Sequence, residues 1–201
     1  MTAAPPPKAD YGFNWSAASR GVDGCFSGTS IVHLSTQNAK CIKEIKRGDT
    51  VLCNDSGAVS TVACVVILHV PTGRKPMVSF ENGLSITPMH PILWDGEWAL
   101  PGEIIPSEEV EIDKVYNLIL EGTDTVVMNG ITCSVMGTRV DHRRIAHRFW
   151  GNKAKVIECL KAVDDQGYNR GVVEIVGMVR DERGMVYGFK SYDGRELVGK
   201  V

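Results

Sequence analysis

Short runs of β-branched and aliphatic residues, broken at regular intervals by turn formers, dominate the chain from Cys25 to about Val135. The apolar runs cover residues 30–34, 50–52, 59–70, 77–80, 84–87, 115–120 and 125–131. Between them stand Arg47-Gly48-Asp49, Asp55-Ser56-Gly57, Pro71-Thr72-Gly73, Glu81-Asn82-Gly83, Asp95-Gly96 and Asn129-Gly130. Asn-Gly and Asp-Gly pairs supply the positive φ that tight hairpins require, so the pattern predicts an all-β region built of many hairpins. The texture then changes. Ile145, Phe149, Trp150, Val156, Ile157, Leu160 and Val163 recur every three to four positions around Gly151-Asn152, which predicts two short helices meeting at that pair. Strand-like runs return at residues 172–179 and 185–189, joined by Asp181-Glu182-Arg183-Gly184.

Residues 1–24 open with Ala3-Ala4-Pro5-Pro6-Pro7 and end in Gly21-Val22-Asp23-Gly24, a composition that cannot bury a core of its own. They read as a flexible leader in which Tyr11, Phe13 and Trp15 are available to dock elsewhere. The division expected is therefore a leader (1–24), an all-β domain (25–138) and a C-terminal extension packed on it (139–201). No run approaches the length of a membrane span, and the first residues lack the basic start and apolar stretch of a secretion signal. With 22 basic against 24 acidic side chains, no general field favours nucleic acid or an anionic membrane. The local basic group of Arg139, Arg143, Arg144, Arg148, Lys153 and Lys155 reads as a solvated helix face. Six cysteines without a CxxC pair suggest neither a disulfide framework nor a zinc ribbon, and the expectation is a monomer in a reducing, intracellular compartment.

The segment Asp23-Gly24-Cys25-Phe26-Ser27-Gly28-Thr29-Ser30-Ile31-Val32 places a cysteine between a glycine and a strand. Farther on come Leu84-Ser85-Ile86-Thr87-Pro88-Met89-His90-Pro91, Val115-Tyr116-Asn117-Leu118 and Val126-Val127-Met128-Asn129-Gly130-Ile131. Each motif alone is weak. Together and in this order they resemble the opening, TxxH and closing blocks of the Hint superfamily, which includes inteins, hedgehog autoprocessing domains and bacterial intein-like domains. Thr132-Cys133-Ser134-Val135-Met136-Gly137, His147-Arg148-Phe149-Trp150-Gly151-Asn152, residues 156–160 and Val179-Arg180-Asp181 extend the likeness to the Vint subgroup, found beside von Willebrand A domains. The resemblance implies a horseshoe of pseudo-two-fold related β-hairpins, followed by a short helical and β extension.

It also implies a reaction. An amide is a poor electrophile, so cutting one requires a well-placed nucleophile and a proton for the departing nitrogen. The Cys25 thiol reaches the Gly24 carbonyl through a five-membered ring, and Gly24 adds little bulk. In the family the TxxH histidine, here His90, protonates the scissile nitrogen, and Thr87 helps hold and polarise that peptide. The expected activity is a single-turnover N-to-S acyl shift at Gly24-Cys25, with no cofactor and no metal. The partner is the chain's own N-terminal segment, and water, a thiol or an amine resolves the thioester. Read without the motif, Cys25 is a small buried hydrophobe and His90 a structural histidine.

Departures from the family pattern bear on the outcome. Splicing inteins end in His-Asn before a further nucleophile, whereas Thr132-Cys133-Ser134-Val135 stands here, so cleavage without splicing is expected. Asp124 takes the place of a common histidine, as a base or a turn cap, and Asn117 replaces the usual aspartate. Cys133, which the resemblance puts near Cys25, is open to acyl exchange, a redox disulfide, an adventitious metal site or plain packing. Two other functions stay open: a non-catalytic Hint-like interaction module, and a Cys-His hydrolase acting on other peptides.

Overall fold

Strands whose two faces meet different cores organise the protein. The computed structural model describes residues 24–35, 38–139 and 147–198. Residues 1–23 of the leader, with its three aromatic residues, and the expectations placed on Arg143, Arg144 and Ile145 lie outside the described residues. In chain order the strands are β1 (Phe26–Ser27), β2 (Ile31–His33), β3 (Ala39–Cys41), β4 (Thr50–Leu52), β5 (Val59–His69), β6 (Arg74–Ser79), β7 (Ser85–Ile86), β8 (Ile92–Trp94) and β9 (Glu97–Ala99). After a single helical turn, α1 (Pro101–Ile104), come β10 (Glu108–Glu111), β11 (Lys114–Leu120), β12 (Thr125–Met128) and β13 (Ile131–Ser134). The helix α2 (Lys153–Arg170) then leads into β14 (Val172–Ile175), β15 (Gly177–Arg180), β16 (Val186–Lys190) and β17 (Glu196–Val198).

A first sheet has the order β10-β6-β7-β1-β11-β5-β14, with β4 also paired to β5, and a second has the order β3-β2-β12-β13-β8-β9. The expected all-β architecture is what forms. Along β11, Leu118 and Leu120 enter a core cluster shared with Val32, Ile92, Val126, Met128 and Cys133 of the second sheet. Val115 and Ile119 enter another cluster, with Val156, Leu160, Val173, Ile175 and Phe189 of the C-terminal part. The first sheet is thus covered on both faces, which is why β5 and β11 read as nearly continuous apolar runs rather than as alternating ones.

Hairpin chemistry follows the sequence closely. Asp95-Gly96 and Asn129-Gly130 both hold positive φ at both residues, the geometry of the two-residue turns that join β8 to β9 and β12 to β13.

The C-terminal part departs from expectation in two places. Residues 172–179 do not form one strand. β14 pairs in parallel with β5, while β15 starts a separate sheet of order β15-β16-β17. Nor do two helices meet at Gly151-Asn152. Asn152 instead caps α2 by accepting from the Lys155 N–H at 3.1 Å, and the break falls at Asp164, whose φ and ψ are non-helical. The Asp164 carboxylate accepts the Gly167 N–H at 2.8 Å, replacing the backbone bond lost there. Among the described residues no helix is long and apolar enough to cross a membrane.

Candidate functional site

The short strand β1 lies between two others, Phe26 pairing with Ile86 of β7 on one side and with Tyr116 of β11 on the other. Antiparallel register therefore sets Thr87 and Asn117 on either side of Cys25, one step before the strand begins. The Cys25 N–H donates to Thr87 Oγ1 at 2.9 Å, and the Thr87 N–H donates to the Cys25 carbonyl at 2.9 Å. From the opposite side Asn117 Nδ2 donates to the Gly24 carbonyl at 2.5 Å. The Gly24 carbonyl and the Cys25 N–H are the two ends of one peptide group. A side chain holds each.

His90 reaches the same peptide from a turn. Pro88 fixes the backbone after Thr87, and the His90 N–H returns to the Thr87 carbonyl at 3.1 Å. The imidazole packs on Phe26, with ring centroids 4.3 Å apart. Its Nε2 donates to the Ser134 carbonyl at 2.8 Å. Because a carbonyl only accepts, the proton of the neutral ring sits on Nε2 and Nδ1 carries the lone pair. Nδ1 is buried and makes no hydrogen bond among the described residues. It lies against Gly24, where an added Cβ would stand 3.2 Å from His90 Nδ1. Burial lowers the His90 pKa to about 4, against smaller opposing effects of the Ser134 carbonyl and the Cys25 backbone. The ring is neutral at pH 7.

Cys25 is 2% exposed and belongs to the cluster shared with the C-terminal part. Its neighbours in that cluster include Met77, Val115, Met136 and Phe149. Such a site excludes bulk water from the Cys25 thiol, and it strengthens the hydrogen bonds made there.

The structure brings Cys25, Thr87 and His90 together around Gly24 and gives the other two sequence candidates different partners. Asp124 forms an ion pair with Lys153 at 2.8 Å, and its carbonyl accepts from the Val135 N–H at 3.1 Å. Lys153 also donates to the Leu120 and Thr123 carbonyls at 3.2 and 3.3 Å, fastening the start of α2 to the β11–β12 turn. The Cys133 thiol donates to the Ile131 carbonyl at 3.4 Å and packs in the core cluster opposite to that of Cys25. Burial pushes its pKa far above the usual thiol range. Among the described residues no group of three or more His, Cys, Asp or Glu is placed to hold a metal.

Two contributors were not assigned a part from sequence. Ser134 acts through its backbone, which no side-chain motif reveals. Asn117 did leave a trace, as the single amide in the apolar run Val115-Tyr116-Asn117-Leu118-Ile119-Leu120, since a polar side chain in a doubly covered strand needs a partner.

The family described as Vint, a Hint-domain, matches residues 24–188. No curated protein matches the chain. Among solved structures, a DnaB intein from Synechocystis sp. PCC 6803 is similar at 19% identity and a TM-score of 0.44, covering 56% of this chain and 99% of the intein. A bacterial intein-like domain from Clostridium thermocellum is similar at 17% identity and a TM-score of 0.44, over 55% of this chain and 97% of that one. The gp41-1 intein is similar at 16% identity and a TM-score of 0.41, over 56% and 98%. The family match spans most of the chain, from Gly24 to β16, and by it the chain belongs to the Vint family of Hint domains.

Proposed function

We propose that the domain cuts its own backbone between Gly24 and Cys25 by an N-to-S acyl shift, and releases the preceding segment without splicing. One observation carries this reading: both polar atoms of that peptide are held by side chains, and the neutral His90 ring packs against Gly24. Cys25 Sγ attacks the Gly24 carbonyl carbon while its proton passes to His90 Nδ1, which is unprotonated at neutral pH. The tetrahedral intermediate collapses with loss of the Cys25 nitrogen, and His90 returns the proton to it. A thioester then joins Gly24 to Cys25 Sγ, beside a free Cys25 amine. Water, a thiol or an amine attacks this thioester, giving a segment that ends in Gly24 and a regenerated thiol. Thr87 holds the leaving nitrogen throughout. The absence of splicing rests on Thr132-Cys133-Ser134-Val135, which continues as β13 where splicing members carry a terminal asparagine.

The 2% exposure of Cys25 favours one rival, a non-catalytic interaction module. Intact mass after incubation near neutral pH, with and without dithiothreitol, separates the two. Loss of residues 1–24, faster with thiol and abolished by Cys25→Ala, is the expected result. A folded native chain that retains its full mass in both conditions defeats the proposal. His90→Ala is expected to slow release by ~10²–10⁴-fold, the usual contribution of a positioned acid or base.

A further inference from the structure

We propose that Asn117 is the oxyanion donor of this reaction, its carboxamide aimed at the Gly24 oxygen by two backbone amides. The inference rests on the cleavage reading and adds to it the group that takes the charge. Asn117 Oδ1 accepts the Leu118 N–H at 2.7 Å and the Met136 N–H at 3.1 Å. An N–H only donates and a carbonyl only accepts, so the amide has one allowed orientation, with Nδ2 toward the Gly24 carbonyl. Flipping it would set two donors against Oδ1's present partners and an acceptor against the Gly24 oxygen. The side chain is 4% exposed, so water competes little for these bonds.

This placement suits the transition state. As Cys25 Sγ adds to the Gly24 carbon, the carbonyl π electrons move onto oxygen. A neutral donor already in contact strengthens its bond as that charge grows, without any reorganisation. No proton needs to leave Asn117. The amide returns to its resting bond when the intermediate collapses. Sheet register makes the position specific: Phe26 pairs with Tyr116, so the next residue of β11 is level with the reacting peptide. Met136, just beyond β13, supplies one of the two orienting N–H groups, and the donor is therefore aimed only when the closing strands are in place.

The test uses the full chain. Asn117→Asp keeps both acceptor contacts and removes the donor while the carboxyl is ionised, so the fold is expected to persist, with thermal unfolding as the control. Near pH 7.5 its cleavage rate is expected to fall about 100-fold, the usual loss for one oxyanion donor. The ratio of variant to native rate should rise as pH is lowered toward 5, because a protonated carboxyl donates again. A rate within a few-fold of native, or a ratio that stays flat with pH, overturns the assignment. A second readout does not depend on cleavage. In a Cys25→Ser chain, glycine labelled with ¹³C at the carbonyl and serine labelled with ¹⁵N meet only at position 24, because no other glycine precedes a serine or cysteine. Adding Asn117→Ala to that chain should move the Gly24 carbonyl carbon upfield, and an unmoved signal means that Asn117 does not polarise it. A native chain that never cleaves defeats the cleavage reading, while the carbon signal still decides whether the hydrogen bond exists.

Discussion

Asn82 and Asn129 exchange hydrogen bonds across two hairpin turns: each donates its side-chain amide to the other's backbone carbonyl, at 2.8 and 2.9 Å. Both precede a glycine with positive φ, and Asn129 itself has a φ of 48°. Asn129 Oδ1 also accepts the Ile31 N–H at 2.7 Å, so this contact ties the β6–β7 turn of the first sheet to β2 and the β12–β13 turn of the second. Asn82→Ala should cost about 1–2 kcal/mol, the loss of a few partly exposed hydrogen bonds. Asn129→Ala should cost more, because alanine resists the left-handed backbone. Chemical denaturation checks both values and their order.

The buried neutral imidazole of His90 makes stability depend on pH. Its pKa is lowered to about 4 in the folded protein, against about 6.5 when unfolded. The unfolded chain therefore binds the proton first. The contribution is fully present above pH 6.5 and is lost as pH falls from 6.5 toward 4, by about 3 kcal/mol in all. His147, lowered to about 4 mainly by burial and next by Arg180, acts in the same direction. His90→Gln, which keeps a donor for Ser134, should flatten the fall, as measured by urea unfolding at pH 7 and pH 5.

Gly102 controls the turn that carries His90. Its N–H donates to the Pro88 carbonyl at 2.9 Å, and an added Cβ would stand 2.9 Å from Pro88 Cβ and 3.2 Å from the Pro88 oxygen. Gly102→Ala must displace the Thr87–His90 turn. Overpacking of this kind costs about 1–3 kcal/mol. Release of the N-terminal segment should slow as well, which timed mass spectra at a temperature where the variant is folded would reveal.

Asp124 offers the opposite expectation. Its carboxylate faces Lys153 at a partly exposed site, where an ion pair is worth roughly 0–1 kcal/mol. Asp124→Asn should change stability by no more than that and leave the cleavage rate close to native. A large loss of rate with the fold intact would instead assign Asp124 the role of a catalytic base.

What the sequence disclosed and what it hid divide along physical lines. Hairpins were legible because their signals are local: Asp95-Gly96 and Asn129-Gly130 adopt the positive φ that their composition suggests. The trio Cys25, Thr87 and His90 was legible as a spaced motif. Asn117 was not, since its partner lies 93 positions away and only strand register joins them. The break between β14 and β15 escaped notice for a related reason, because β14 is defined by parallel pairing with the distant β5. On α2 the period carrying Val156 and Leu160 was correct, but Asp164 looks like any other helical aspartate in sequence, and only its bond to Gly167 sets it apart.

The shared burial of Cys25 with Val156, Leu160, Val173 and Phe189 has a consequence in time. A chain emerging from the ribosome presents Cys25 first and the residues that enclose it last. Until α2 and β16 are made and folded, the thiol lacks its dry wall, and Asn117 lacks its Met136 guide until β13 has passed. Under the proposed reaction, a passenger ahead of Gly24 would stay attached through synthesis, and its release would report that the whole domain behind it had been completed.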